Sequence, residues 1–305
     1  MQPVRIGILL MTPPLSGRRH MLRRVVLLVL IAVLAVYLVL PMALGIFAVL
    51  PTREPVGAPP DGFGEITLTT GDGVALKAWY APPDNGAAII LLHGAGSSRE
   101  AVRSYAAMLV RHGYGVLAPD LRGHGGSDGA TNRFGWQGTC DVGAAVTFLE
   151  AQDGVETIGG MGLSLGGEVL LGAASAYPQV TAIVADGATQ RSPEELSALE
   201  SERPLYRSFV TRVMYTTVQA VSGIKPPKPL LDSMFEADST EFLLIAGGAV
   251  PREVAFGEVF AETVGERVRL WVAPDAGHTG AFGRYPEEYE QRVIAFFDAT
   301  PGAGE

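Results

Sequence analysis

The sequence predicts an α/β domain, a mostly parallel sheet with helices on both faces, preceded by one membrane-spanning helix. Three observations carry this. From about residue 64 to 299, short apolar runs of strand length alternate with stretches of helical spacing, the pattern of repeated strand–helix units. Ala87–Leu92 is continuously apolar rather than alternating, as strands buried on both faces are. Val25–Leu50 is 26 residues without a charged side chain.

At about 1.5 Å per residue that run reaches roughly 39 Å as a helix, more than the ~30 Å hydrocarbon core of a bilayer. It can span with tilt or bend at Pro41. A cleaved signal peptide is the rival reading, but its apolar region normally runs ~7–15 residues. No small-x-small cleavage site precedes the Pro-rich stretch, so a retained signal-anchor is expected. Arg18, Arg19, Arg23 and Arg24 flank the run on its amino-terminal side. The positive-inside rule keeps that flank cytoplasmic and sends the body outside. The expected organisation is a basic segment (1–24), a transmembrane helix (25–50), a stiff linker (51–63, PTREPVGAPPDGF), one domain (64–299) and a tail (300–305).

Composition narrows the function classes. Apolar residues make up 48% and charged residues 18% of the 305, which excludes disorder as the main state. A single cysteine, Cys140, excludes an internal disulfide framework and a Cys-based zinc cluster. Residues 1–60 carry a net +5 and the remainder a net −14. An acidic body argues against nucleic acid as a partner.

The elements follow in order. Glu65–Thr70 and Val74–Tyr80 flank Gly71-Asp72-Gly73 as a hairpin. Strands are expected at Ala87–Leu92, Gly115–Ala118, Thr157–Met161, Val180–Ala185, Phe242–Ala246 and Val268–Val272. Helices are expected at Ala101–Arg111, Cys140–Ala151, Gly166–Ala176, near Glu253–Val264 and at Pro286–Phe297. Between about 188 and 241 the alternation stops. There Tyr206, Phe209, Val210, Val213, Met214, Val218 and Val221 recur at i, i+3, i+4, i+7, an amphipathic helix expected either to roof the site as a lid or to pack on the sheet.

One motif carries chemistry. Gly162-Leu163-Ser164-Leu165-Gly166 fits G-x-S-x-G between an expected strand and helix. Glycines on both sides let the chain turn sharply, exposing the Ser164 hydroxyl on a strand-to-helix elbow. His93-Gly94-Ala95-Gly96 follows another strand; the N–H of Ala95 and that of Leu165 are candidate donors to an oxyanion. Ser164 needs a base. Of His93, His112, His124 and His278, only His278 follows the last strand, where a loop points back toward Ser164. His93 reads as structural, His112 as a solvated helix end and Cys140 as a small buried filler. No metal cluster, phosphate loop or dinucleotide fingerprint appears, so no cofactor is expected.

The Ser elbow, the His-Gly loop and the late Gly-His together resemble the α/β-hydrolase superfamily. Asp120-Leu121-Arg122-Gly123-His124-Gly125-Gly126-Ser127 looks like that superfamily's D-x-R-G-x-G-x-S turn, in which Asp120, Arg122 and Ser127 shape the turn. An anchor ahead of such a domain resembles the Bem46-type and serine-aminopeptidase-like branch. The resemblance implies an α/β-hydrolase fold with an eight-stranded sheet and a small helical cap. It also implies a serine hydrolase cleaving a small-molecule ester, thioester or amide through an acyl-enzyme, with the bilayer as partner of the N-terminal helix.

One departure stands out. Where the superfamily usually carries G-x-x-D, this chain reads Gly247-Gly248-Ala249-Val250-Pro251-Arg252-Glu253. Glu253 is the first candidate acid and Asp186, ending the preceding strand, the alternative; Asp275 stands too close in sequence to His278. A carboxylate must orient the His, so the missing Asp also admits a catalytically silent α/β-hydrolase-fold binding or scaffold protein. A cofactor-free perhydrolase would use the same residues.

Overall fold

The computed structural model describes residues 15–199 and 205–299. The start of the basic segment (1–14), five residues of the insertion (200–204) and the tail (300–305) lie outside them.

The apolar amino-terminal run folds as a nearly continuous helix: α1 (Leu15–Leu34), a π-helical turn (Ala35–Val39) and α2 (Leu40–Ala48). Pro41 explains the irregular turn. It lacks the N–H that would bond the Tyr37 carbonyl and its ring crowds that group, which a wider π-turn relieves. Arg18–Ala48 is a helix long and apolar enough to cross a membrane, its most apolar 18-residue window having a mean hydropathy of 3.1.

The remaining helices are α3 (Arg103–Arg111), α4 (Gly138–Glu150), α5 (Leu165–Ala173), α6 (Pro193–Leu199), α7 (Leu205–Ser222), α8 (Leu230–Glu236), α9 (Pro251–Val264), α10 (Ala281–Arg284) and α11 (Pro286–Asp298). The strands are β1 (Gly64–Thr69), β2 (Ala75–Ala81), β3 (Ala87–Leu92), β4 (Gly115–Pro119), β5 (Thr157–Leu163), β6 (Val180–Asp186), β7 (Glu241–Gly247) and β8 (Val268–Ala273). They form one eight-stranded sheet in the order β1-β2-β4-β3-β5-β6-β7-β8. The β1–β2 and β2–β4 pairs are antiparallel and the rest parallel. This is the expected α/β-hydrolase fold.

All six residues of β3 are buried, and they divide by parity. Ala88, Ile90 and Leu92 join the core under α4, α5, α8 and α9, while Ala87, Ile89 and Leu91 join the core under α3 and α11. Because β3 and β4 lie in reversed order beside β5, the sheet has a switch point there, where open α/β sheets form a crevice at the strands' carboxyl ends.

The α7 stripe has a different partner from either expectation. It packs neither on the sheet nor directly on Ser164. A third apolar cluster joins Tyr215 and Val218 of α7 to Val49 and Trp136, with Phe134, Met214 and Ile224 against it. A Cβ on Gly45 would stand 2.7 Å from the Met214 carbonyl oxygen, so only glycine lets α2 and α7 approach this closely. The segment expected as a linker is also stitched down. Thr52 exchanges backbone hydrogen bonds of 2.8 Å with Gly123 and Gly125, and Arg53 donates to the Ser127 and Gly129 carbonyls.

The D-x-R-G-x-G-x-S turn is held by buried charge. Asp120 accepts from the Arg99 backbone at 2.6 Å, from the Arg99 guanidinium and from Gly126 N–H. Arg122 donates to Asp141 at 2.8 Å and to Asp72 at 2.7 Å. The side chains of Arg122 and Asp141 are 2% and 1% exposed, so removing one strands the other. Arg122→Ala should destabilise the fold by about 3–5 kcal/mol, the usual cost of an orphaned buried partner, read as a lowered melting temperature of the purified protein.

Candidate active site

Every candidate residue sits at the carboxyl edge of the sheet: Ser164 after β5, the His93–Gly96 loop after β3, Asp186 ending β6, Glu253 at the start of α9 after β7, and His278 after β8. Ser164 adopts φ 50° and ψ −116°, a strained conformation for a residue with a side chain. Two glycines make it possible. A Cβ on Gly162 would fall 2.3 Å from the Gly166 carbonyl carbon, and one on Gly166 would fall 2.5 Å from the Leu92 carbonyl oxygen. The Ser164 N–H donates to the Asp186 carbonyl at 2.7 Å, which ties the elbow to β6.

The structure brings three side chains into line. Ser164 Oγ lies 2.8 Å from His278 Nε2, and His278 Nδ1 lies 2.6 Å from Glu253 Oε1. The carboxylate acts only as acceptor, so Nδ1 carries the hydrogen and Nε2 is free to accept from Ser164. Glu253 is 2% exposed, and its other oxygen accepts the Gly247 N–H at 2.8 Å. The bond to Glu253, partly offset by burial, raises the pKa of His278 above its ordinary value.

Asp186 is not brought to His278. It is fully buried, accepts from the Tyr289 hydroxyl at 3.0 Å, and its pKa is pushed up to about 7, chiefly by burial and then by the charge of Glu253. Gly187 follows it with φ +72°; a Cβ there would stand 3.1 Å from the His278 ring. Neither Tyr289 nor Gly187 was marked by the sequence, since each matters only through a neighbour remote in the chain.

Leu165 opens α5, so its N–H has no preceding helical carbonyl to bond. Ala95 is exposed in the loop beside it, and a Cβ on Gly94 would touch Ser164 Cβ at 3.5 Å. His93 is fully buried. Its Nδ1 donates to the Gly94 carbonyl at 2.8 Å and its Nε2 accepts the Leu121 N–H at 3.0 Å. Burial depresses its pKa to about 3, so it stays neutral and shapes the loop. His112 pairs with Glu290 at 2.8 Å, and Cys140 is half-buried rather than fully buried. Among the described residues no group of three His, Cys, Asp or Glu side chains could hold a metal ion.

Phe134 and Trp136 stand between this site and the cap. A Cβ on Gly135 would fall 2.4 Å from the Leu165 side chain, and Trp136 stacks on Tyr215 of α7 at 6.1 Å. A cleft of about 860 Å³ lies between α7 and Ser192–Glu194 and is lined by none of Ser164, His278 or Glu253.

Comparison with known proteins agrees with this fold. An esterase of Pyrococcus furiosus is 27% identical, superposes with a TM-score of 0.66, and the match covers 84% of this chain and 99% of the esterase. The Penicillium α/β hydrolase GrgF (20% identity, TM-score 0.58, covering 78% and 98%) and an Exiguobacterium antarcticum esterase (18%, 0.57, covering 76% and 99%) share the fold. No curated protein matches the chain. The alpha/beta hydrolase fold family matches residues 87–241, just over half of the chain, and the chain belongs to that family.

Proposed function

We propose that the protein is a membrane-anchored serine hydrolase that cleaves an ester, thioester or amide through an acyl-enzyme, as in the Bem46-type branch it resembles. The observation that carries this is the continuous line of hydrogen bonds from Ser164 through His278 to Glu253. Ser164 Oγ attacks the substrate carbonyl while His278 Nε2 takes its proton. Glu253 fixes the His278 tautomer and stabilises the imidazolium that forms. The N–H groups of Leu165 and Ala95 receive the oxyanion. His278 then protonates the leaving group, and water repeats the sequence to free the enzyme. The silent-fold reading rested on the absent Asp of G-x-x-D; Glu253 supplies a carboxylate at His278 instead.

The anchor reading rests on the Arg18–Ala48 helix, only 6% buried over its most apolar window, and on its arginine flank. It places the amino terminus in the cytoplasm and the hydrolase domain outside. The protein should remain in the membrane fraction after alkaline carbonate washing; a soluble product beginning near residue 51 would show cleavage instead.

A fluorophosphonate probe should label the wild type and not Ser164→Ala, whose ester turnover should fall by about 10⁴-fold or more. Undiminished labelling of the variant would remove Ser164 as nucleophile.

The two carboxylates should separate kinetically. Glu253→Gln should collapse kcat, whereas Asp186→Asn should leave it within about tenfold, because Asp186 does not touch His278. His278 must be neutral to act as base, so activity is lost as pH falls through its pKa. With that pKa raised, the acid limb of kcat/KM should have its midpoint above the ordinary ~6.5, and Glu253→Gln should shift the limb downward. A limb unmoved by Glu253→Gln would overturn the assignment.

A further inference from the structure

The α7 helix raises a question the catalytic site does not answer. Leu205, Tyr206 and Phe209 at its beginning are 89%, 51% and 52% exposed. Along the same outward face Arg212, Thr216 and Gln219 follow, also exposed. The face is thus apolar at its amino-terminal end and polar toward the body.

Its neighbour determines what covers the apolar end. Tyr206 meets Tyr37 edge-on at 6.3 Å, and Met214 and Thr217 meet Gly45. Val218 and Val49 share one cluster. Contacts advancing together along both helices mean that α7 lies parallel to the anchor, with its beginning farthest from the body. The body grips the anchor at its far end, where Asn132 Nδ2 donates to the Ala48 and Leu50 carbonyls at 2.9 and 3.0 Å. Between Tyr37 and that grip, Leu40, Met42, Leu44, Ile46, Phe47 and Leu50 are 41–73% exposed. Water around this stretch would leave a large apolar surface uncovered. Lipid around it would also surround the start of α7.

We propose that the first two turns of α7 are embedded in the outer leaflet beside the anchor, so that the cap docks on membrane lipid and the site takes lipid-borne acyl esters from the bilayer. This deepens the reading of the protein as an anchored hydrolase and rests on it. The path is short: Tyr215 stacks on Trp136, and neighbouring Gly135 presses on Leu165 beside Ser164. Glu200, Glu202 and Arg203 precede the helix in sequence and are costly in hydrocarbon. Arg207, exposed within the same two turns, is equally costly there, so the insertion is shallow, with both helices tilted, the placement of an interfacial amphipathic helix.

The test uses full-length protein, with Cys140→Ala as background, in phosphatidylcholine–phosphatidylglycerol vesicles. Single cysteines replacing Leu30, Phe209 or Gln219 carry an environment-sensitive fluorophore, and dibrominated phosphatidylcholine is the quencher. Quenching at positions 30 and 209 but not at 219 is expected, with position 209 quenched more by shallow than by deep bromines. Quenching at 30 alone would overturn the docking and leave the anchor intact; no quenching at 30 or 209 would remove both. Shielding of position 209 from lipid bromines and aqueous iodide alike would mean a second copy covers it, and would also overturn the proposal. The Leu205→Ser/Phe209→Ser variant should lower the ratio of turnover on a vesicle-embedded long-chain p-nitrophenyl ester to that on soluble p-nitrophenyl butyrate by at least tenfold. An unchanged ratio would overturn the lipid-substrate claim.

Discussion

The structure is organised around a turn with no slack. β5 ends at Leu163 and α5 begins at Leu165, leaving a single residue to reverse the chain's local conformation. Ser164 takes that position at φ 50°, and the strain is held by what surrounds it. Gly162 and Gly166 approach so closely that neither could carry a methyl group, and the carbonyls of Leu92 and His93 close over Gly166. The Ser164 conformation is strained, while its supports come from β3, β5 and β6, the middle of the sheet. Sheet order, the neutral His93 pinned between Gly94 and Leu121, and the buried Asp120–Arg99 pair all serve to keep those strand ends where the elbow needs them.

Two buried carboxylates share the carboxyl edge and differ in their surroundings. Glu253 accepts from the His278 ring and from the Gly247 N–H. Asp186 faces a tyrosine hydroxyl, and one of its oxygens has no hydrogen-bond partner. Burial beside another carboxylate favours its protonated form.

Much of this was legible before any coordinates. Each of the eight strands coincides with an apolar or alternating run, because a strand buried on both faces leaves no room for polar residues. The elbow could be read because glycines flank a serine between a strand and a helix. Two things were hidden. Glu253 and Asp186 were equivalent in sequence, since which one reaches His278 depends on how the chain from Gly247 to Glu253 curls, and that curl leaves no periodic trace. The stripe on α7 announced a buried face but not its partner; the partner proved to be a helix some 170 residues earlier, and no local pattern encodes such pairing. The short helices α6, α8 and α10, four to seven residues long, are too brief to show a period at all.

The amino-terminal helix is not uniform around its circumference. Tyr37, Pro41, Gly45 and Val49 recur every four residues and are covered, while the residues between them, half-buried Ala48 aside, are open. An apolar helix that serves only to insert could be exchanged for any other of equal length. This one could not: a chimera with a run of leucines would keep its hydrophobicity and lose the gap at position 45 into which α7 settles. The segment is therefore a structural part of the cap, and its permissible sequences on that side are set by the helix it packs against.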